Sequence, residues 1–206
     1  EPQMIKGNFG EMMRILSDYP DQMVFYNGPK CGASAPDHAH FQAGTSGLVP
    51  LQRSWQRLSR DLTPLLTIDD FEGIWQISDY LCFALLIRSH CPKTAERLFN
   101  RLYNIMPLNS DDTEPMMNIL AWRYGDDYIT VVIPRAKHRP DCYFIEGTEQ
   151  CLVSPGALDM AGLIITPREE DFKKLTAERA VGILREVALQ DTEAETIRQQ
   201  LKNQTL

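Results

Sequence analysis

His38-Ala39-His40-Phe41-Gln42 sets two imidazoles and a carboxamide on alternate positions directly after a glycine-rich turn. In an extended strand alternate side chains share a face, so His38, His40 and Gln42 are expected to project one way and Ala39 and Phe41 the other. Just upstream, Asn27, Gly28, Pro29, Lys30, Cys31, Gly32, Ala33 and Ser34 bring small residues, a lysine and a hydroxyl. Such a stretch suits a turn whose backbone N–H groups cradle a phosphate. A neutral imidazole attacks phosphorus without prior deprotonation, and the adduct stays labile enough to pass to a second acceptor. Charge then builds on the phosphoryl oxygens, where fixed donors such as Gln42, Lys30 and backbone N–H groups would act. A histidine beside a phosphate cradle is thus equipped to move a nucleotidyl group.

A His-x-His pair also opens cupin-type metal sites, and Gly32, His38 and His40 fit that opening. Such a site needs a glutamate a few residues later, but positions 43–47 read Ala-Gly-Thr-Ser-Gly. Gln42 is a poor metal ligand and a good donor to a phosphoryl oxygen, so no metal ligand set is assigned.

The stretch Ser34, Ala35, Pro36, Asp37, His38, Ala39, His40, Phe41, Gln42, Ala43 resembles the active-site strand of the histidine-triad superfamily, in its transferase and phosphorylase branch. That branch carries His-x-His-x-Gln and includes galactose-1-phosphate uridylyltransferase, ATP adenylyltransferase (diadenosine tetraphosphate phosphorylase) and GDP-galactose phosphorylase; the His-Phe-Gln-Ala form is most similar to the last. The resemblance implies a histidine-triad-like fold and a nucleotidyltransferase or phosphorylase acting on a nucleotide sugar or dinucleoside polyphosphate through a covalent nucleotidyl-histidine. It makes His40 the nucleophile, has His38 orient and polarise the site, and sets Gln42 on a non-bridging oxygen. Asn27, Gly32 and Ser34 fall where the family surrounds the phosphates, although Ser34 stands four positions before His38 where several members have the serine three before. The resemblance covers about residues 5–170, and family members have sheet strands ahead of the turn where this chain has a helix, so an N-terminal truncation is expected. No organic cofactor is implied, and a divalent metal is left open. The alternative reading is a nucleotide-binding or regulatory module that keeps the motif without turnover.

A second basic cluster follows the apolar run at 128–132, where Arg135, Lys137, His138 and Arg139 stand within five positions of a chain of net charge −7. Arg135, Lys137 and His138 are candidate phosphate contacts; the alternative is a solvated charged loop.

With 206 residues and 43% hydrophobic content the chain can bury a core, and one domain over 1–206 is expected. The longest apolar stretch, 81–87, is too short to span a bilayer, and the first residues carry no signal-peptide apolar region. A pI of about 5.1 argues against bulk nucleic-acid binding. The expected partner is a nucleotide or nucleotide-sugar substrate, with no nucleic acid, no membrane and a homodimer left open. Five widely spaced cysteines read as thiols of a reducing compartment, here the cytoplasm, and Cys31 as structural or incidental.

The elements that must position these residues read as α+β, an antiparallel sheet with helices packed on it. A helix over 9–18 precedes a strand at 23–27 and the catalytic strand at 38–43; 48–66 is mixed and part helical. Strands follow at 73–78 and 81–88, then a helix over 93–105 with Leu98, Leu102 and Ile105 on one face. Strands 117–124 and 128–134 form a hairpin around Gly125-Asp126-Asp127. One more strand is expected at 161–166, with Asp159 and Gly162 in a plain loop or lining a nucleotide pocket. The C-terminal helical segment, about 177–206, holds a brace or lid helix over 177–189 and a polar helix from 191 that frays or meets a partner. His90 reads as structural.

Overall fold

The computed structural model describes residues 2–35 and 37–205; Glu1, Leu206 and Pro36 of the motif stretch lie outside the described residues. In chain order the elements are α1 Phe9–Asp18, β1 Gln22–Asn27, β2 Gln42–Thr45, α2 Pro50–Arg53, α3 Trp55–Leu58, β3 Leu62–Thr67, β4 Gly73–Ile77, β5 Leu85–Ser89, α4 Pro92–Tyr103, β6 Met117–Tyr124, β7 Asp127–Pro134, α5 Ala157–Met160, α6 Glu169–Lys174, α7 Ala177–Val187 and α8 Asp191–Lys202. The strands form one seven-stranded sheet in the order β2-β1-β6-β7-β5-β4-β3, with every neighbour antiparallel. This is the α+β architecture expected from the sequence.

Alternation along β1 divides the core. Val24 and Tyr26 face a layer built by α1, α4 and α8, while Met23 and Phe25 face one built by α2, α3, α5 and α7. With both faces covered, β6 and β7 are buried along nearly their whole length and read as apolar runs rather than alternating ones. Their hairpin closes on Gly125 at φ +60° in a two-residue turn between paired Tyr124 and Asp127, a conformation glycine adopts at no steric cost. In α1 the buried set is Phe9, Met12, Met13 and Leu16, the spacing of one helical face. Phe9 stacks on Phe99 of α4 with ring centroids 4.1 Å apart, and Pro92 opens α4 in its first turn, where its missing N–H leaves no bond unmade.

Three expectations are corrected. The strand expected from 38 begins only at Gln42. The register pairs Phe25 with Gln42 and, continued, would set Asn27 opposite His40. The buried side chain of Gln3 is interposed there, its Nε2 donating to the carbonyls of Asn27 (3.0 Å) and His40 (3.1 Å) and its Oε1 accepting from the His40 N–H at 2.8 Å. A side-chain amide thus takes the backbone groups that a strand would have paired.

Residues 161–166 form no strand. Gly162 turns at φ +94°, the N–H groups of Gly162 and Leu163 donate to the carbonyls of Asp159 and Leu158 at 2.8 and 2.9 Å, and the Ile165 N–H donates to Asp159 Oδ1 at 2.7 Å, so the segment makes local bonds in place of a ladder. The helix from 191 is docked on the core rather than polar all round: Ala194, Ile197 and Leu201 are buried, and Arg198 reaches Gln76 Oε1 at 2.6 Å. α7 braces the sheet, its Val187 carbonyl accepting from the N–H of Ala136 at 3.0 Å. Among the described residues no helix is long and apolar enough to cross a membrane.

Candidate active site

The ends of β1 and β2 open onto a cavity of about 300 Å³ lined by Asn27, Gly32, Ser34 and Gln42 on one side and by Leu152, Ser154, Gly156, Ala157, Asp159, Ile165 and Pro167 on the other. Asn27 closes β1 and Gln42 opens β2, two positions beyond the Phe25–Gln42 pair and within it, so both project on the face that Phe25 uses. Gly32 sits at φ +90°, and a Cβ there would lie 2.6 Å from Gly156 Cα. The two loops touch through glycine backbone, and no larger residue fits between them. Asp159 shapes the far wall: its carboxylate accepts from the N–H groups of Gly156 (2.9 Å) and Ile165 (2.7 Å), while burial pushes its pKa above the usual carboxylate range.

Beneath the cavity runs a line of side-chain amides. Arg135 Nη1 donates to Asn118 Oδ1 at 2.6 Å, Asn118 Nδ2 to Asn27 Oδ1 at 2.9 Å, and Asn27 Nδ2 to Gln42 Oε1 at 3.1 Å. Arg135 is buried and uses every one of its N–H groups, the others going to the carbonyls of Val187, Pro155, Lys137 and His138. It therefore has no donor left for a phosphate, contrary to the expected contact, and holds three segments together instead.

His38 and His40 precede β2 with ring centroids 5.4 Å apart. Phe41 packs on the opposite core from Gln42, edge-on to Tyr26. His40 Nδ1 lies 3.1 Å from the His38 carbonyl. A carbonyl only accepts, so that bond calls for the proton on Nδ1, and the neutral ring in that tautomer carries its lone pair on Nε2. His38 is exposed, with Nδ1 3.3 Å from Asp37. Neither imidazole is among the residues lining the Gln42 cavity; His40 borders a neighbouring one of about 260 Å³ with Gln3, Asn8, Tyr26 and Phe41. Behind it, Tyr26 hydrogen-bonds the buried Glu114 carboxylate, and burial pushes both pKa values up.

The remaining candidates disperse. Lys30 turns away from the cavity and pairs with Asp112. Lys137 is held by Glu186 at 2.6 Å and by Asp141 at 2.5 Å, and half-buried His138 has its pKa lowered first by desolvation and then by Arg139. Arg139, not singled out from the cluster, is the one whose Nε reaches the cavity wall, at Ser154 Oγ (3.0 Å). Cys31 is fully buried, its thiol pushed up to about 12 by desolvation, and His90 pairs with Asp127 at 2.7 Å. Among the described residues no group of three or more His, Cys, Asp or Glu is placed to hold a metal ion.

Gln3, Asn118, Ser154 and Gly156 were not found by motif. Asn118 left a signal, one amide in an otherwise apolar strand run, and Gly156 another, a Pro-Gly dipeptide; Gln3 left none.

Residues 1–45 match a family model described as a domain of unknown function, DUF4922, and residues 70–206 match one described as the GDPGP1-like, C-terminal domain. The histidine motif lies in the first match and the far wall of the cavity in the second. No curated protein matches. Among solved structures the chain is similar to the crystal structure of yeast Ap4A phosphorylase Apa2, with a TM-score of 0.55 and 17% identity over 88% of this chain and 60% of that one. At that identity the likeness concerns the fold, and the chain spans 60% of the length of that neighbour. These findings agree with the branch to which the motif pointed, and the chain belongs to the GDPGP1-like, C-terminal domain family.

Proposed function

We propose that this protein is a nucleotidyltransferase or phosphorylase that works through a covalent nucleotidyl-His40, acting on a nucleotide sugar or, as the name of the yeast neighbour suggests, a dinucleoside polyphosphate. The observation that carries the reading is the bond from His40 Nδ1 to the His38 carbonyl, which suits Nε2 of the neutral ring to attack, two positions along the chain from Gln42. In the first half-reaction the Nε2 lone pair forms a bond to the nucleotide phosphorus while the phosphorus–oxygen bond to the leaving phosphate breaks, its electron pair departing with that oxygen. In the second an oxygen of inorganic phosphate or a sugar phosphate attacks the same phosphorus, the phosphorus–nitrogen bond breaks, and the imidazole regains its lone pair. Gln42 and the N–H groups of the turn are the donors for the charge that develops.

One observation favours a second reading, a module that binds nucleotide without turnover: His40 is not among the residues lining the Gln42 cavity. Intact mass separates the two. The chain and its His40→Ala variant are incubated briefly with ATP, a dinucleoside tetraphosphate, and GDP- and UDP-sugars. A gain of one nucleotidyl group that requires His40 supports transfer and identifies the nucleotide; nucleotide binding with no adduct from any donor supports the binding module.

A further inference from the structure

We propose that buried Arg135 and Asn118 act through Asn27 as a hydrogen-bond relay that turns the Gln42 amide N–H groups into the cavity, making Asn118 a positioning residue for an oxyanion ligand. The inference rests on the reading of the cavity as a phosphate site and adds what aims its donor. Direction along the relay is fixed at its start, since a guanidinium only donates, and Asn118 must therefore turn Oδ1 to Arg135 and Nδ2 onward. Asn118 Nδ2 also donates to the Cys31 carbonyl at 2.7 Å, which requires the same orientation. Asn27 is fixed twice: its Oδ1 accepts from Asn118 and from the Ala157 N–H at 2.7 Å, a group that can only donate. Asn27 Nδ2 then points at Gln42, whose Oε1 accepts it. What remains of the Gln42 carboxamide is Nε2, a donor at the cavity.

The head of the relay adds charge. All the partners of Arg135 are carbonyl oxygens, none a carboxylate. The Asp159 carboxylate on the cavity wall acts on Arg135 through space and without a hydrogen bond; a buried cation with no direct ion pair is costly and favours further negative charge nearby. Each amide in the line polarises the next, so that the bias reaches Gln42.

The test uses isotope-labelled protein and inorganic phosphate at constant ionic strength, following the side-chain amide resonances of Gln42. In the native chain phosphate should shift both Gln42 amide protons to saturation. Asn27→Asp keeps an acceptor for Asn118 Nδ2 and for the Ala157 N–H and sets a carboxylate oxygen against Gln42 Oε1, so Gln42 should reverse, its Nε2 turning inward and becoming protected from exchange. Phosphate should then bind about 10- to 100-fold more weakly, the effect of losing a hydrogen bond to a charged group. Should Asn27→Asp not fold, Asn118→Leu cuts the relay without adding charge and decides the matter through phosphate affinity, which should fall. No phosphate-dependent shift of Gln42 in the native chain, an unprotected Gln42 amide in Asn27→Asp, or, where that variant does not fold, native phosphate affinity in Asn118→Leu overturns the proposal. No turnover is involved, so a failure of nucleotidyl-His40 to form counts against the catalytic reading alone.

Discussion

Gln3 holds both peptide groups of His40: its Oε1 receives the His40 N–H at 2.8 Å, and its Nε2 donates to the His40 carbonyl at 3.1 Å while also binding the end of β1. The chain around the histidines is bent off the sheet and yet tied to it. Gln3→Ala should leave these groups unpaired, speeding exchange of the His40 amide and lowering stability by about 1–3 kcal/mol. Native exchange at His40 in that variant would show that another group holds the loop.

Gln42→Ala removes an exposed side chain at the first residue of β2, so the fold should persist. Adduct formation should slow roughly 100- to 1000-fold, as on loss of one oxyanion donor, with a much smaller rise in donor KM. Single-turnover kinetics check the split, and an equal loss in affinity with unchanged rate contradicts the role.

Gly32→Ala asks an L-residue to hold φ +90° with its Cβ 2.6 Å from the backbone of Gly156. The conformation alone costs roughly 1–3 kcal/mol. The urea midpoint should fall, and nucleotide binding should weaken because the loops that wall the cavity separate.

The thiols should differ in reactivity by position. Cys31 is buried, with its thiol pushed up to about 12, whereas exposed Cys91 has its pKa lowered by the N–H groups of Thr94 and Lys93 at the start of α4. Alkylation mapped by peptide mass should mark Cys91 first and Cys31 only after unfolding. Early labelling of Cys31 would mean that the glycine turn opens.

Asp171 anchors the far wall of the cavity, accepting from the Leu152 N–H at 3.1 Å and from Arg168 at 2.8 and 2.9 Å. The hydrogen bond from Arg168 holds its carboxyl below the usual carboxylate range. A lowered folded-state pKa contributes stability that is present above the unfolded value, about 3.9 for Asp, and is lost as pH falls through the folded one. Asp171→Asn should therefore be less stable than the native chain at pH 7, with the difference shrinking below about pH 4. Urea midpoints across that range test the sign.

Local patterns carried much of the architecture. The buried face of α1, the apolar runs of β6 and β7, the glycine turn between them and the proline opening α4 are short-range signals, and each element forms where such a signal lies. Two patterns misled. At 38–41 the backbone groups that a strand would pair are taken by the distant side chain of Gln3, and at 161–166 by local turn bonds at the end of α5 together with the Asp159 carboxylate; periodicity registers neither.

By itself, then, the sequence determined the central strands β1, β6 and β7, the helical faces and the spacing that makes His38, His40 and Gln42 a candidate set. Tertiary structure decided which basic residues meet the cavity and which serve the scaffold. Lys30 went to Asp112 and Arg135 to a ring of carbonyls, while Gln3, Asn118 and Ser154 joined the site from elsewhere in the chain. The physical reason is range. Propensity and periodicity act over a few residues, whereas the bond from Gln3 to His40 spans 37 positions and that from Asn118 to Asn27 spans 91, and such partners become neighbours only once the sheet has ordered its strands.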